Sequence, residues 1–385
     1  MSNGWQTKTL GDVAEVIAGQ SPEGSFYNTS GDGLPFYQGK KEFGARFIGT
    51  ATTWTTQITK IALEGDVLMS VRAPVGPVNC ATEKSCIGRG LAAIRSGNGL
   101  NRNFLFYFLL SKQDEICGTE GAVFASMNKN DIQQIEIAVP APSEQQRIVG
   151  ILDEAFGGIA TAKANAAKNL QNARALFESH LQAVLLSKKW KWKTLGDLCV
   201  GVEYGTSAKS KKEGKIAVLR MGNIQDGHLE WDNLVYSDEK DEIKKYLLKH
   251  NDVLFNRTNS PKLVGKTAIY KSQMPAIFAG YLIRIHRKED LLDGDYLNYF
   301  LNSQIALAYG KTVVISSVNQ ANINGAKLKG YPIPAPSLSE QRIIVKKLDG
   351  LQEETKRLAS LYQRKLAALE ALKKSLLHQA FTGQL

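Results

Sequence analysis

One stretch of this chain occurs twice, and both times it commits the backbone to a long helix. The first copy reads Pro140-Ala141-Pro142-Ser143-Glu144-Gln145-Gln146-Arg147-Ile148-Val149, the second Pro334-Ala335-Pro336-Ser337-Leu338-Ser339-Glu340-Gln341-Arg342-Ile343-Ile344. The prolines end an extended segment, because the residue before a proline is pushed out of the helical region. Ser143 or Ser339 is placed to cap the following helix, with Glu144 or Glu340 near its positive end. In the second helix Ile344, Leu348, Leu351, Thr355, Leu358, Tyr362, Lys365/Leu366, Leu369, Leu372 and Leu376 recur at steps of four and three, the seam of a coiled coil. The first helix carries a smaller-residue version: Ile148, Leu152, Ala155, Ile159, Ala162, Ala166, Leu170, Ala173, Phe177, Leu181 and Val184. Alanines let a partner helix approach closely, and the leucines of the other seam fill the space. Each pattern runs for about forty residues, about 60 Å of helix. A helix that long with one narrow apolar seam needs a partner, and this chain supplies two. Gly157-Gly158 interrupts the first pattern and predicts a weak point there, since each glycine costs roughly 1 kcal/mol relative to alanine.

The rest of the chain repeats as well. Trp5-Gln6-Thr7-Lys8-Thr9-Leu10-Gly11-Asp12 returns as Trp190-Lys191-Trp192-Lys193-Thr194-Leu195-Gly196-Asp197. Gly65-Asp66-Val67-Leu68-Met69-Ser70-Val71-Arg72 returns as Asn251-Asp252-Val253-Leu254-Phe255-Asn256-Arg257, in each case a turn feeding a short apolar strand that delivers a polar residue and an arginine. Aromatic helical segments follow, Asn103–Leu110 and Asp295–Leu301, and then an Asn-bearing turn, Asn128-Lys129 or Asn319-Gln320. The pattern is a globular unit, a long helix, a second globular unit and a second long helix: residues 1–142, 143–189, 190–336 and 337–385. The fold class is α+β with an internal repeat, two α/β modules separated by two long antiparallel helices. Residues 20–60 and 205–250 share almost no alignable sequence, as expected of two related modules that read different things.

With 385 residues, 43% of them hydrophobic and 22% charged, the chain has the composition of a soluble protein of two to three domains. No apolar run approaches membrane-spanning length, and the N-terminus lacks a signal pattern. Cys80, Cys86, Cys117 and Cys199 form no CxxC, so reduced thiols in the cytoplasm are expected and no metal site. The net charge of +11 is uneven: residues 1–142 carry 12 basic against 13 acidic side chains, residues 190–336 carry 21 against 15. A basic balance is the footprint of a nucleic-acid binder.

These residues resemble the DNA-specificity (S) subunit of type I restriction-modification enzymes. The resemblance rests on the Trp-x-x-x-x-Leu-Gly-Asp start, the Asp-Val-Leu strand ending near arginine, the Pro-x-Pro-Ser helix start with its Glu-Gln pair, and the ending Ser375-Leu376-Leu377-His378-Gln379-Ala380-Phe381-Thr382-Gly383-Gln384-Leu385. It covers the whole chain, in order, twice. It implies that each globular unit is a target recognition domain reading one half of a bipartite site in double-stranded DNA. The helices would pair antiparallel and set the gap. The partners implied are two methylation subunits and restriction subunits, with S-adenosylmethionine, ATP and Mg²⁺ on those partners and no cofactor on this chain, which catalyses nothing.

The residues agree with a non-catalytic chain. There is no Asn/Asp-Pro-Pro-aromatic stretch for gripping a target amine and no Gly-x-Gly-x-x-Gly after a strand. Gly265-Lys266-Thr267 and Gly310-Lys311-Thr312 mimic the end of a phosphate loop, but Ser260 and Ile305 stand where its first glycine belongs. Base reading calls for arginine or lysine toward guanine and asparagine or glutamine toward adenine, on loops that reach base edges. The candidates are Gln38, Lys40, Lys41, Arg46 and Arg72 in the first unit, with Asn128 and Lys129 as phosphate holders. In the second they are Lys209, Lys211, Lys212, Arg220, Asn223, Asn256, Arg257, Asn259 and Lys262, with Asn319 and Gln320. Arg72 and Arg257 lead because each copy has an arginine after the same strand; a salt bridge to a framework carboxylate is the rival explanation. Lys346, Lys347, Lys356, Arg357, Arg364, Lys373 and Lys374 form the helical face offered to partner subunits. Two other classes remain open, a protein-binding structural scaffold and an enzyme with a divergent site; salt-sensitive DNA binding and activity of the chain alone would separate them.

Overall fold

The computed structural model describes residues 4–117, 126–187, 189–316 and 320–385. It divides into two compact units, Met1–Ala167 with Arg364–Leu385, and Lys168–Gln363. The same core is built twice. In the first unit a four-stranded antiparallel sheet runs in the order Ala14–Ala18, Leu91–Ser96, Val67–Ser70, Val78–Cys80. In the second the order is Cys199–Tyr204, Leu282–Arg287, Val253–Asn256, Thr267–Ile269. A two-stranded ribbon joins the start of each unit to the strand before its long helix, Gln6–Thr9 with Glu136–Val139 and Trp192–Thr194 with Pro332–Pro334. The Leu-Gly-Asp repeat is a one-turn helix, whose Asp12 or Asp197 carboxylate accepts from the backbone N–H and hydroxyl of Thr9 or Thr194.

The Asp-Val-Leu strands read as continuous apolar runs because both faces of the sheet are covered. Val67, Met69, Ala92 and Ile94 pack with the aromatic helix Arg102–Ser111 and with Ile148, Leu152, Leu377 and Ala380 of the long helices. Leu68, Leu91 and Ala93, one residue out of phase, face a second core with Tyr37, Ala62 and Ile87. In the second unit Val253, Phe255, Ile283 and Ile285 join Leu181, Leu185, Ile344 and Leu348, while Leu254 and Leu282 face Val218, Ile277 and Phe278.

The stretches that share no sequence share a strand pair. Leu34–Tyr37 runs parallel to Ser85–Ile87 in the first unit, and Ile216–Leu219 parallel to Ala276–Phe278 in the second. The loops around them differ, which is why the correspondence is invisible in the sequence.

The long helices span Pro142–Leu185 and Leu338–Thr382. Their starts differ from expectation. Pro142 itself opens the first, with the Ala141 carbonyl accepting from Glu144 and Gln145 N–H, so Ser143 already lies inside the helix. The second is capped by Ser337 rather than Ser339: Ser337 N–H and hydroxyl donate to the Glu340 carboxylate at 2.9 and 2.6 Å. Gly157-Gly158 does not break the first helix, which is continuous across them. Within the first unit the helices run antiparallel, as Lys163 pairs with Glu370 and Lys373 lies 5.2 Å over the Phe156 ring. The second seam departs from the regular four-three register that the sequence predicts. Leu372 is 47% exposed, and the half-buried Lys373 takes its place. The run Leu358, Tyr362, Leu366 takes two steps of four, bringing the stripe toward the 3.6-residue turn of a straight helix.

Candidate nucleic-acid interface

Matching backbone hydrogen bonds gather four segments at one end of each unit's strands. In the first unit Gly19 N–H donates to Leu91 O (2.9 Å), Gln20 to Ile87 O (2.9 Å), Gly88 to Tyr37 O (2.9 Å) and Val71 to Gly90 O (3.0 Å). In the second, Gly205 donates to Leu282 O (3.3 Å), Thr206 to Phe278 O (2.9 Å), Ala279 to Leu219 O (2.9 Å) and Arg257 to Tyr281 O (3.0 Å). The approach is so close that a Cβ on Gly19 or Gly205 would lie 2.2 Å from the carbonyl oxygen of Gly88 or Phe278. These bonds make Gln38 the equivalent of Arg220, Gly90 of Tyr281, Val71 of Arg257 and Arg72 of Thr258. Gln38 and Arg220 each leave the end of a parallel strand into a short 3₁₀ turn, Lys40–Glu42 or Met221–Asn223.

Gln38 is exposed, and its Oε1 accepts the Ser21 hydroxyl at 2.9 Å. With Tyr27, Lys41 and Arg89 these side chains line an open depression of about 530 Å³. Arg220 is exposed and donates to Asn233 O at 2.7 Å. It lines a depression of about 400 Å³ with Met221, Glu230, Asp232 and Tyr281. Each place therefore holds a side chain that fits a base edge: an amide in one unit, a guanidinium in the other.

The two leading arginines are not equivalent. Arg257 matches Val71 by its bonds, and Arg72 matches Thr258: Arg72 pairs with Ser126 as Thr258 pairs with Asn322. A one-residue offset along a strand sends the side chains to opposite faces. Among the described residues neither Arg72 nor Arg257 meets a carboxylate. Arg72 is exposed; the Arg257 guanidinium lies 4.8 Å from the centre of the Tyr204 ring, with its Nε buried and without an acceptor.

Three candidates are used up inside the protein. Asn256 is fully buried at the end of its strand, its amide toward Leu263 O at 3.5 Å, and cannot reach DNA from there. Asn223 is buried; its Oδ1 accepts Arg220 N–H and its Nδ2 donates to Glu230 O and Asp232 O, so it holds the loop that carries Arg220. Arg46 is ion-paired with Asp153 at 2.6 Å and lies over the Phe106 and Tyr107 rings, fastening its loop to the long helix.

Others are partly engaged. Asn128 caps the helix Lys129–Gln133, accepting from Asn130 and Asp131 N–H. Asn259 is half-buried, accepting from Ser260 N–H. Lys211 pairs with Asp238 at 3.1 Å, and that hydrogen bond holds the Asp238 carboxyl below its ordinary range. Lys40, Lys41, Lys129, Lys209, Lys212, Lys262 and Gln320 are exposed, and Asn319 lies outside the described residues. Lys266 donates to Gln225 Oε1 and Thr267 is buried in a strand, while Lys311 and Thr312 continue a helix, so neither Gly-Lys-Thr triplet forms a phosphate loop. On the helical face, Lys356, Arg357, Lys373 and Lys374 contact His228, Glu354, Phe156 and Asp114 of their own unit; Lys346, Lys347 and Arg364 stay exposed. Arg89 and Tyr281 were not among the sequence candidates. The Gly88-Arg89-Gly90 and Gly280-Tyr281 turns carry the available signal, a large side chain set beside glycine. Among the described residues no group of three or more His, Cys, Asp or Glu is placed to hold a metal, and no helix is long and apolar enough to cross a membrane.

The seam itself hides two residues that sequence reasoning passed over. Gln145 and Gln341 sit in the apolar stripe three residues before Ile148 and Ile344, and both are fully buried. Gln145 accepts from Asn101 N–H and donates to Gly99 O and Pro140 O; Gln341 accepts from Asp293 N–H and donates to Leu291 O and Pro336 O. Each clamps the proline strand to the loop that caps the aromatic helix.

Residues 2–169 and 187–364 each match the family model described as the type I restriction modification DNA specificity domain. A putative type I restriction enzyme specificity subunit (MjaX) from Methanocaldococcus jannaschii is 36% identical over 49% of the chain, a match that spans 44% of that relative. The StySPI specificity subunit of Salmonella potsdam is 23% identical over 100% of the chain and 90% of its own length. Among solved structures, one from a study of complex assembly and conformational transition of the type I R-M system aligns over 100% of this chain and 99% of its own, with TM-score 0.81 and 19% identity. The HsdS subunit from Thermoanaerobacter tengcongensis aligns over 100% and 98%, with TM-score 0.63 and 19% identity. The structural likenesses speak for the fold.

Proposed function

The chain belongs to the type I restriction-modification DNA-specificity family, and from that premise we propose that each unit reads one half of a bipartite site in double-stranded DNA. The observation that carries this reading is the placement of Gln38 and Arg220 at equivalent strand ends, with Arg89 lining the same depression as Gln38 and Tyr281 the same depression as Arg220. Phosphate contacts position such a protein and base-edge contacts specify the sequence. Exposed lysines around each strand end, Lys40 and Lys41 in one unit and Lys209 and Lys212 in the other, supply the positioning charge. The long helices, each of which contributes residues to both units, set the spacing between half-sites and seat two methylation subunits. The candidate docking charges on them include Lys346, Lys347 and Arg364, all exposed. The chain itself catalyses nothing: S-adenosylmethionine, ATP and Mg²⁺ belong to the methylation and restriction subunits, and the assembly works in the cytoplasm.

The test is co-expression with its methylation subunit in a host lacking adenine methylation, followed by sequencing for methylated adenine. A bipartite motif with a fixed gap is the expected result. No modification, with a chain that neither assembles with a methyltransferase nor binds duplex DNA, overturns the reading in favour of a protein-binding scaffold.

A further inference from the structure

The strand ends of the two units, equivalent in backbone, differ in chemistry. Where the second unit has Tyr204, Met221 and Tyr281, the first has Ala18, Gly39 and Gly90. The three large side chains are 40%, 37% and 49% exposed. Met221 and Tyr281 line one depression together with Arg220, and Tyr204 lies under the Arg257 guanidinium. In the first unit the same place is lined by the polar Ser21, Gln38 and Arg89 together with half-buried Tyr27, whose ring stacks on the buried Phe36. Apolar side chains left in water and rimmed by charge mark a surface that something apolar covers. Residues 190–336 are the more basic module, which favours DNA as that occupant.

A B-form duplex offers few apolar groups. In the major groove the one it presents on a base edge is the C5-methyl of thymine; the base faces are reached only by unstacking, at a cost of a few kcal/mol per step. We propose that the second unit reads its half-site partly through a thymine methyl packed against Met221 and Tyr281, whereas the first unit, with Gly39 and Gly90 at those positions, has no such methyl contact there. The inference rests on the DNA-reading role above. It adds that the two half-sites are recognised by different chemistries, and it names Met221 and Tyr281 as specificity-determining residues.

The experiment uses the full chain assembled with its methylation subunits and duplexes carrying the motif found by methylation sequencing. Cross-linking of residues 190–336 to the duplex, mapped by sequence, first identifies which half-site belongs to the second unit. Each thymine of that half-site, on either strand, is then replaced by deoxyuridine, which removes only the methyl group. Binding should weaken about four-fold at one position, the effect of unburying one methyl. Met221→Ala, an exposed position whose change leaves both cores intact, should abolish that penalty while leaving other base preferences unchanged. The same substitution in the other half-site should cost nothing traceable to Met221 or Tyr281. Insensitivity to deoxyuridine in the second half-site overturns the inference, as does a loss on Met221→Ala or Tyr281→Ala that is equal for thymine and uracil, the signature of a wedge between bases. Either result leaves bipartite binding intact, and only absence of specific binding removes the reading beneath it.

Discussion

Among the described residues a ring, and not a carboxylate, holds Arg257. A guanidinium 4.8 Å over the Tyr204 ring keeps its charge, and among the described residues its buried Nε has no acceptor. Such a group is oriented without being neutralised. Arg257→Ala is therefore predicted to weaken binding at one base pair of the second half-site by roughly 1–3 kcal/mol, leaving other positions alone. A loss that is uniform over all sequences in competition binding would assign the side chain to a phosphate instead. At the opposite extreme is Cys80, whose thiol burial pushes up to about 11 despite the nearby Arg46 guanidinium. A thiol with a raised pKa stays protonated, and so unreactive, until the pH nears that value. In the folded protein at pH 8, Cys80 should resist alkylation by iodoacetamide and react only on unfolding. Labelling of the native chain there, read by peptide mass mapping, would contradict its buried placement.

The long helices were legible in the sequence because their evidence is local: a proline stop, an acidic first turn and a stripe of period near 3.6. So were the repeated short motifs. The equivalence of Gln38 with Arg220 was not legible, since it is defined by backbone bonds from segments some fifty residues away and the intervening loops differ in length. The apparent equivalence of Arg72 and Arg257 misled although the letters carry the offset: Arg72 stands six residues after Asp66 and Arg257 five after Asp252, and hydrogen bonding bears that count out. Gln145 and Gln341 stand three residues before Ile148 and Ile344, in the register of the apolar stripe, where a polar side chain becomes a buried clamp. Gln341→Ala leaves one N–H and two carbonyls without their partner, and should destabilise the second unit by roughly 3 kcal/mol. The check is the urea midpoint of that unit's transition, with Gln145→Ala acting on the first unit alike. In the opposite direction, a Cβ at Gly157 meets nothing within 4 Å and the helix is unbroken there. Gly157→Ala is predicted to stabilise by about 1 kcal/mol, seen as a higher urea midpoint. An unchanged or lower midpoint would mean that the glycine serves something other than the helix.

Over the whole molecule, charge and specificity are distributed differently. The module of residues 190–336 carries the larger basic excess, yet its polar candidates include two buried asparagines, and Lys211 is paired with Asp238. Lys212, exposed, is the better phosphate contact. Lys212→Ala should reduce the salt slope of DNA binding by about 0.9, one contact's worth, with no change in base preference, and Lys211→Ala by less. An unchanged slope for both, measured by titration at several salt concentrations, would place this loop off the DNA.

Each unit's four-stranded sheet also works as a partition. Leu68 and Met69 are chain neighbours that belong to separate cores, as do Leu254 and Phe255. One compartment holds the mount, with the aromatic helix and the long helices; the other holds the lobe whose loops carry Gln38 or Arg220. Changes in the lobe are absorbed on its own side of the wall. New reading chemistry can therefore accumulate there as in an exchangeable cartridge, while the seat that takes it stays machined to one pattern. That is the division the chain displays when its two copies are laid side by side.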